Sequence, residues 1–233
     1  MFGKLLLALL SMVFVIVCMV STRAAACACC AEPGTYMIST GKPETFELDI
    51  LKQIEFDDKA DLYMTEAGFD SIKGLSAIEK EAEDPSWFAS PGNFDVVNLF
   101  TGKMWTLTFK TPKGKTGTLR LPMPKQMVTF KVDIHDGSDQ GNGPMLYKEF
   151  RFKGTVAGGT GFLGNSIVNP TSYFLVFQGR GNGCDDVSDF RNWNLEITGK
   201  KARYQLFGDL VSGGDDEGDE TGRITARYRL TLQ

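Results

Sequence analysis

Hydrophobic and polar residues alternate with a period of two along most of this chain, and this alternation limits its fold more than any other feature. Residues 128–134 read VTFKVDI and residues 224–232 read ITARYRLTL, with an apolar side chain at every second position. Residues 46–50, 105–109 and 150–156 repeat the pattern. Successive side chains of a strand point to opposite faces, so each run predicts a strand with one buried and one hydrated face.

Glycine-rich turns separate these runs, among them Asp136-Gly137, Gly158-Gly159 and Gly213-Gly214. The spacing predicts an all-β protein, an antiparallel up-and-down β-barrel or a β-sandwich of about 8–10 strands. One short helix is expected near residues 71–83, where apolar residues recur at helical spacing before Pro85. We expect a signal peptide over residues 1–26, a cysteine-containing tail over 27–43 and a single β domain over 44–233.

The start of the chain has the three parts of a secretory signal peptide. Lys4 makes the first residues basic, residues 5–20 are almost entirely apolar, and small residues occupy positions 24–26. The apolar run has about 16 residues, fewer than the roughly 20 that span a bilayer. We expect cleavage after Ala26 or after Ala28 and a secreted or periplasmic protein. The alternative is an uncleaved membrane anchor.

Four cysteines follow the expected cleavage after Ala26, namely Cys27, Cys29, Cys30 and Cys184. An even number of cysteines in an exported chain predicts disulfides, with a pairing that the sequence leaves open. Bridges between such near neighbours are strained, so we expect one of the three clustered cysteines to pair with Cys184. One alternative is a thiolate metal site, because C-x-C-C is rich in soft ligands. The other is a lipid anchor on Cys27, which with the signal segment would be the contact with a membrane.

A glycine motif lies near the middle of the chain. Residues 159–164 read GTGFLG and match the dinucleotide-binding pattern G-x-G-x-x-G. With its flanks, the segment 156–168 resembles the nucleotide-binding turn of extended short-chain dehydrogenases, and Asp185 and Asp186 follow about 20 residues later. That site needs a helix whose N-terminus meets the pyrophosphate, whereas here Pro170 and a β-rich run follow. We therefore expect a wide glycine turn and no bound cofactor.

The same segment, GGTGFLG, also resembles the glycine turn of dirigent and allene oxide cyclase barrels. The resemblance covers only this turn and its flanks, so no activity and no residue role is carried over. It implies a small barrel that is lined by apolar side chains and accommodates hydrophobic substrates. The alternating pattern is compatible with two interiors: a core filled by side chains, or a cavity that holds a hydrophobic small molecule.

A polar loop after the strand at 128–134 is a calcium candidate in an exported protein. Asp136, Ser138 and Gln140 occupy positions 1, 3 and 5 of an EF-hand-like loop. Tyr147 stands at position 12, however, where an EF-hand needs a bidentate glutamate. His135, the only histidine of the chain, is expected at an exposed strand end without a catalytic role.

Acidic residues cluster in two further segments. A second calcium candidate is the loop that carries Asp215, Asp216, Glu217 and Asp219. Its alternative is a hydrated loop tip, because so many like charges repel one another. A third, weaker acidic patch comprises Asp185, Asp186 and Asp189 beside Cys184. The chain has a formal net charge of −4 and no basic run, which argues against nucleic acid as a partner.

Taken together, these features predict an exported, non-catalytic all-β binding protein. Its expected partner is a hydrophobic small molecule in the barrel interior, or another protein. One alternative is an envelope-associated structural or interaction protein that uses the outer sheet face. The other is an exported barrel enzyme that acts on a hydrophobic substrate, although the chain has no G-x-S-x-G nucleophile elbow. The sequence assigns no catalytic and no cofactor-binding residue.

Overall fold

The computed structural model describes residues 36–64, 94–133, 146–181 and 186–211. These residues form one antiparallel sheet that curls into a half-barrel, which confirms the predicted antiparallel all-β class. The strands are β1 (Tyr36–Gly41), β2 (Glu55–Phe56), β3 (Lys59–Met64), β4 (Phe94–Phe100), β5 (Met104–Lys110), β6 (Thr116–Pro122), β7 (Met127–Asp133), β8 (Leu146–Thr155), β9 (Gly158–Thr160), β10 (Thr171–Gly181), β11 (Phe190–Gly199) and β12 (Ala202–Val211). Helices α1 (Thr45–Gln53) and α2 (Gly161–Gly164) and a 3-10 turn (Val187–Asp189) complete the described part.

The strands follow the order β1-β7-β8-β10-β11-β12-β3-β4-β5-β6-β9, and β2 pairs with β12 beside β3. β8 lies near the β1 margin of the sheet. The chain that follows it crosses to the other margin, where β9 pairs with β6. Two hydrogen bonds join these distant parts: Ala157 N donates to the Arg120 carbonyl at 2.9 Å, and the Tyr173 hydroxyl donates to the Pro122 carbonyl. Burial raises the pKa of Tyr173, so its hydroxyl keeps the donated proton.

The concave side of the sheet is filled by aromatic side chains. Trp105 of β5 packs against Phe152 of β8 with ring centroids 4.9 Å apart, and Phe177 of β10 lies 6.0 Å from Phe152. All three belong to one cluster of buried residues that spans the described strands. Because each such ring contributes about 1.5–3 kcal/mol when it leaves water, this cluster is the main source of cohesion between the two halves of the sheet.

The predicted strand at residues 46–50 is wrong, because these residues lie in α1. Glu44 and Glu47 form a capping box, in which the Glu44 backbone N–H donates to Glu47 Oε2 at 2.8 Å. Ile50 and Leu51 then face the core from one side of the helix. A five-residue alternation also satisfies part of a helical stripe, and the capping box favours the helix. The helix expected near residues 71–83 and the strand at 224–232 lie outside the described residues.

The glycine motif forms a compact plug at the margin of the sheet. Gly161 has a φ of +59°, and a Cβ there would lie 1.9 Å from the Thr116 carbonyl oxygen. This close approach lets the single turn of α2 insert Phe162 and Leu163 against Gly117 in the core. Since β9 pairs antiparallel with β6 and the helix has four residues, the motif here serves packing between backbone segments.

We expect Gly161→Ala to lower the free energy of unfolding by more than about 3 kcal/mol, because the methyl group clashes with Thr116 and the backbone is left-handed. Gly102→Ala is the matched control: its φ is +79°, yet nothing lies within 4 Å of the added Cβ. That variant should lose only about 1–2 kcal/mol. Urea unfolding monitored by circular dichroism measures both, and equal losses would contradict the packing role of Gly161.

Candidate ligand-binding cleft

The site residues predicted from the sequence lie outside the described residues. They are Cys27, Cys29, Cys30, Cys184, Asp136, Ser138, Gln140, Asp215, Asp216, Glu217 and Asp219, together with His135. The disulfide, calcium and lipid-anchor hypotheses therefore stay predictions. Within the described ranges, no group of three His, Cys, Asp or Glu side chains is arranged to hold a metal ion. No helix of those ranges has the length and hydropathy to cross a membrane.

A defect in the strand ladder opens a cleft on the sheet. β12 pairs with β2 at Leu210–Phe56 and with β3 at Phe207–Asp61. Between these two pairs, β12 has two residues and the facing chain has four, so the facing chain bulges away from the ladder. Asp57 N donates a hydrogen bond to the Asp209 carbonyl at 3.0 Å across this gap. We call the resulting cavity of about 630 Å³ the polar cleft.

Six carboxylate or amide side chains line the polar cleft: Asp57, Asp61, Gln178, Asn192, Asn194 and Asp209. Three of them come from neighbouring strands in register, because Asn192 of β11 faces both Gln178 of β10 and Asp209 of β12. Asn192 Nδ2 donates to Asp209 Oδ1 at 2.7 Å, which fixes both side chains. The arrangement presents carboxylate acceptors beside amides that both donate and accept.

Trp193 of β11 carries a buried indole N–H on the face of the sheet opposite to Asn192 and Asn194. Trp193 is buried, and its Nε1 makes no hydrogen bond to the described part of the protein. A Cβ added to Gly208, which also lines the cleft, would lie 3.0 Å from this nitrogen. The ring itself is held by Phe56, with centroids 4.7 Å apart. A buried donor without an acceptor costs about 1–3 kcal/mol, and a ligand in the cleft does not reach this nitrogen, because it has almost no accessible surface.

One cation and one exposed ring complete the rim. Lys59 donates a hydrogen bond to Asp95 at 2.5 Å, and this bond raises the pKa of the Lys59 amine, which therefore stays charged. Phe207 is 39% exposed, which leaves an aromatic surface open beside Asn194, its partner in the ladder. The rim thus combines hydrogen-bonding groups with a flat apolar surface.

Sequence reasoning did not identify the cleft, because its side chains occupy ordinary hydrated positions of alternating strands. Two signals were nevertheless present in the sequence. Asn192 and Asn194 stand at alternate positions of one strand, although asparagine is depleted in strands. Gly208 lies inside β12, where a glycine often marks a close approach or a bulge. Neither signal indicates which distant segment lies opposite.

A pair of charged side chains is buried near the start of β8. Lys148 forms an ion pair with Asp189, and both side chains are almost fully shielded from solvent. Asp189 fits against Gly181, where an added Cβ would lie 1.6 Å from its Oδ1. Asp186 instead accepts a hydrogen bond from Ser188 N at 2.9 Å and starts the 3-10 turn. The predicted acidic patch is therefore divided, because Asp189 faces a buried cation while Asp186 has a local structural role.

Comparison of the chain with protein-family models, with curated protein sequences and with solved structures gives no match.

We expect Asp189→Asn to lower the free energy of unfolding by about 3–5 kcal/mol, because the change removes the carboxylate that pairs with the buried Lys148 ammonium. The control is Asp95→Asn, which breaks a pair whose side chains are about half exposed, 51% for Lys59 and 50% for Asp95. That change should cost less than about 1 kcal/mol. Chemical unfolding measures both, and adding Lys148→Met to Asp189→Asn should restore part of the stability. Equal losses in the two single variants would contradict the assignment.

Proposed function

We propose that this chain is an exported, non-catalytic binding protein and that its ligand site is the polar cleft. The ligand class we propose is a polyhydroxylated molecule of the carbohydrate type. The single observation that carries the proposal is the coincidence of a gap in the ladder with a ring of amides and carboxylates. Export is proposed from the composition of residues 1–26.

The chemistry of the lining supports a ligand rich in hydroxyl groups. Each hydroxyl both donates and accepts, which matches the amides of Asn194 and Gln178. Hydroxyl donors also form short, strong hydrogen bonds to carboxylates such as Asp209 and Asp57. The exposed ring of Phe207 offers a surface for the C–H face of a sugar. The cleft volume lies in the range of about 300–1,000 Å³ that is typical of small-molecule sites.

The aromatic side chains that fill the interior favour a ligand site in the polar cleft over one inside the barrel. Trp105, Phe152 and Phe177 meet one another at packing distances, and Trp193 is stacked on Phe56. A hydrophobic ligand at this place would have to displace rings that already make these contacts. The cleft, in contrast, presents amide and carboxylate side chains that are partly or fully exposed to solvent.

We expect isothermal titration calorimetry of the full chain against neutral hexasaccharides (maltohexaose, cellohexaose, laminarihexaose and mannohexaose) to give at least one dissociation constant below about 1 mM. Asn194→Ala should weaken that binding about threefold to tenfold, because it removes one or two net hydrogen bonds.

The matched control is Gln205→Ala, which changes an amide on β12 that does not line the cleft. It should leave the affinity unchanged. The proposal is wrong if no hexasaccharide binds, or if Asn194→Ala binds as tightly as the original protein. Spermine serves as the competing probe, because three aspartates face one lysine in the cleft. Binding of spermine in place of sugars would assign the cleft to cationic ligands and reject the carbohydrate class.

A further inference from the structure

A second concave surface differs in charge from the polar cleft and from the acidic chain as a whole. Two cavities of about 660 and 360 Å³ adjoin, because Pro124 and Lys125 line both of them. They lie at the end of the half-barrel where the β6–β7 connection meets the turn between β4 and β5. There, Met123 N donates to the Lys103 carbonyl at 2.8 Å. We call these two cavities together the basic groove.

Five cationic side chains line the basic groove: Lys42, Lys103, Lys125, Arg151 and Lys153. No carboxylate of the described residues lines either cavity. The four lysines are exposed and form no ion pair with a described residue. The chain as a whole has a formal net charge of −4, so this surface differs in charge from the rest of the molecule.

Arg151 of β8 is held in a fixed orientation. Arg151 Nε donates to Glu149 Oε2, and the guanidinium carbon lies 4.7 Å from the centroid of the Phe130 ring. Lys153 stands two residues further along β8 on the same face, about 7 Å away by strand geometry. Arg151 and the exposed Lys153 therefore form a row of charge along the strand, and Lys125 continues the row into the second cavity.

Apolar side chains form the surface between the cations. Phe174 of β10 faces Lys153 in the ladder and lines the larger cavity. Leu48 and Met123, both partly buried against the core, line the smaller one. The groove therefore combines charged edges with apolar contact surface, which suits a chain whose anionic groups alternate with apolar C–H faces.

We infer that the basic groove binds a linear acidic polysaccharide, one that carries sulfate or carboxylate groups. Arg151 is paired with Glu149, but the four lysines spread over the two adjoining cavities exceed what one small anion can neutralise, so the ligand carries several anionic groups. A flat lipid surface contacts raised side chains and not the floor of a concave groove. A DNA duplex is stiff over about 150 base pairs and does not follow a short groove at the end of a barrel. The inference does not depend on the polar cleft.

The test uses the full chain with dextran sulfate as the anionic probe and uncharged dextran as its neutral counterpart. Dextran sulfate should bind at low salt, dextran should not, and the affinity should fall steeply as salt increases. The double variant Lys125→Gln with Lys153→Gln should bind at least about tenfold more weakly at low salt. The slope of log affinity against log salt should also become shallower by about 1.5, because two cations no longer release counterions.

The matched control is the double variant Lys110→Gln with Lys115→Gln, which removes two exposed lysines from the opposite end of the β5–β6 hairpin. It should retain the affinity for dextran sulfate. Equal loss of affinity in the two double variants would overturn the inference, because it would show attraction to overall charge alone. Equal affinity for a 20-base-pair DNA duplex would reject the polysaccharide class.

A vesicle-binding experiment distinguishes a lipid ligand from a polysaccharide. It compares binding to phosphatidylglycerol vesicles with binding to phosphatidylcholine vesicles. The inference is overturned in favour of a membrane surface if the Lys125 and Lys153 changes abolish phosphatidylglycerol binding and leave dextran sulfate binding intact. Failure of the hexasaccharide titration bears on the polar cleft alone. The two sites share no described lining residue, so the two outcomes can be told apart.

Discussion

The contact between aromatic side chains across the concave side of the sheet is the interaction on which the rest of the structure depends. Trp105 reaches from one half of the sheet to Phe152 and Phe177 in the other, and Trp193 extends the cluster towards β12. Curling lets two halves of one sheet bury the same face against each other, so that the sheet supplies both layers of its own core. The short helices then cover the ends, with Leu51 from α1 and Phe162 from α2 buried in that core.

Side chains fill the interior, so the cavities that could bind a ligand lie where the sheet departs from regular pairing. The polar cleft lies where β12 changes partner from β3 to β2, and the basic groove follows the connections at one end of the strands. Regular strands satisfy their own backbone groups, whereas a bulge leaves room for side chains and for a ligand. The cleft is rich in carboxylates and the groove in ammonium groups, so the two surfaces suit different chemical groups.

Much of the fold was predictable because alternation is a local property. The strands around Phe152 and Ile197 bury the faces that their sequence pattern predicts, and the class of the fold was predicted from such runs. The strand around Phe130 forms as predicted, but its apolar face is not buried in the core, because Phe130 lies on the same face as Arg151. Residues 46–50 were not, because a short alternating run is also compatible with a helix and the capping box of Glu44 and Glu47 favours the helix. The packing role of Gly161 was only partly foreseen, since a glycine turn was expected but its approach to Thr116 was not. The candidate site was not foreseen at all, since its polar residues look like any hydrated strand face.

The sequence by itself determined which side chains share a face, where glycine permits the backbone to turn, and that the strands pair in an antiparallel sheet with an apolar side. These are properties of neighbours along the chain, and sterics and burial act on them directly. Only the tertiary structure decided that four residues from Asp57 onwards stand opposite two residues of β12, and that Asp57, Asn194 and Asp209 line one cleft. Register between segments so far apart is set by the fit of the whole core, and no local pattern encodes it.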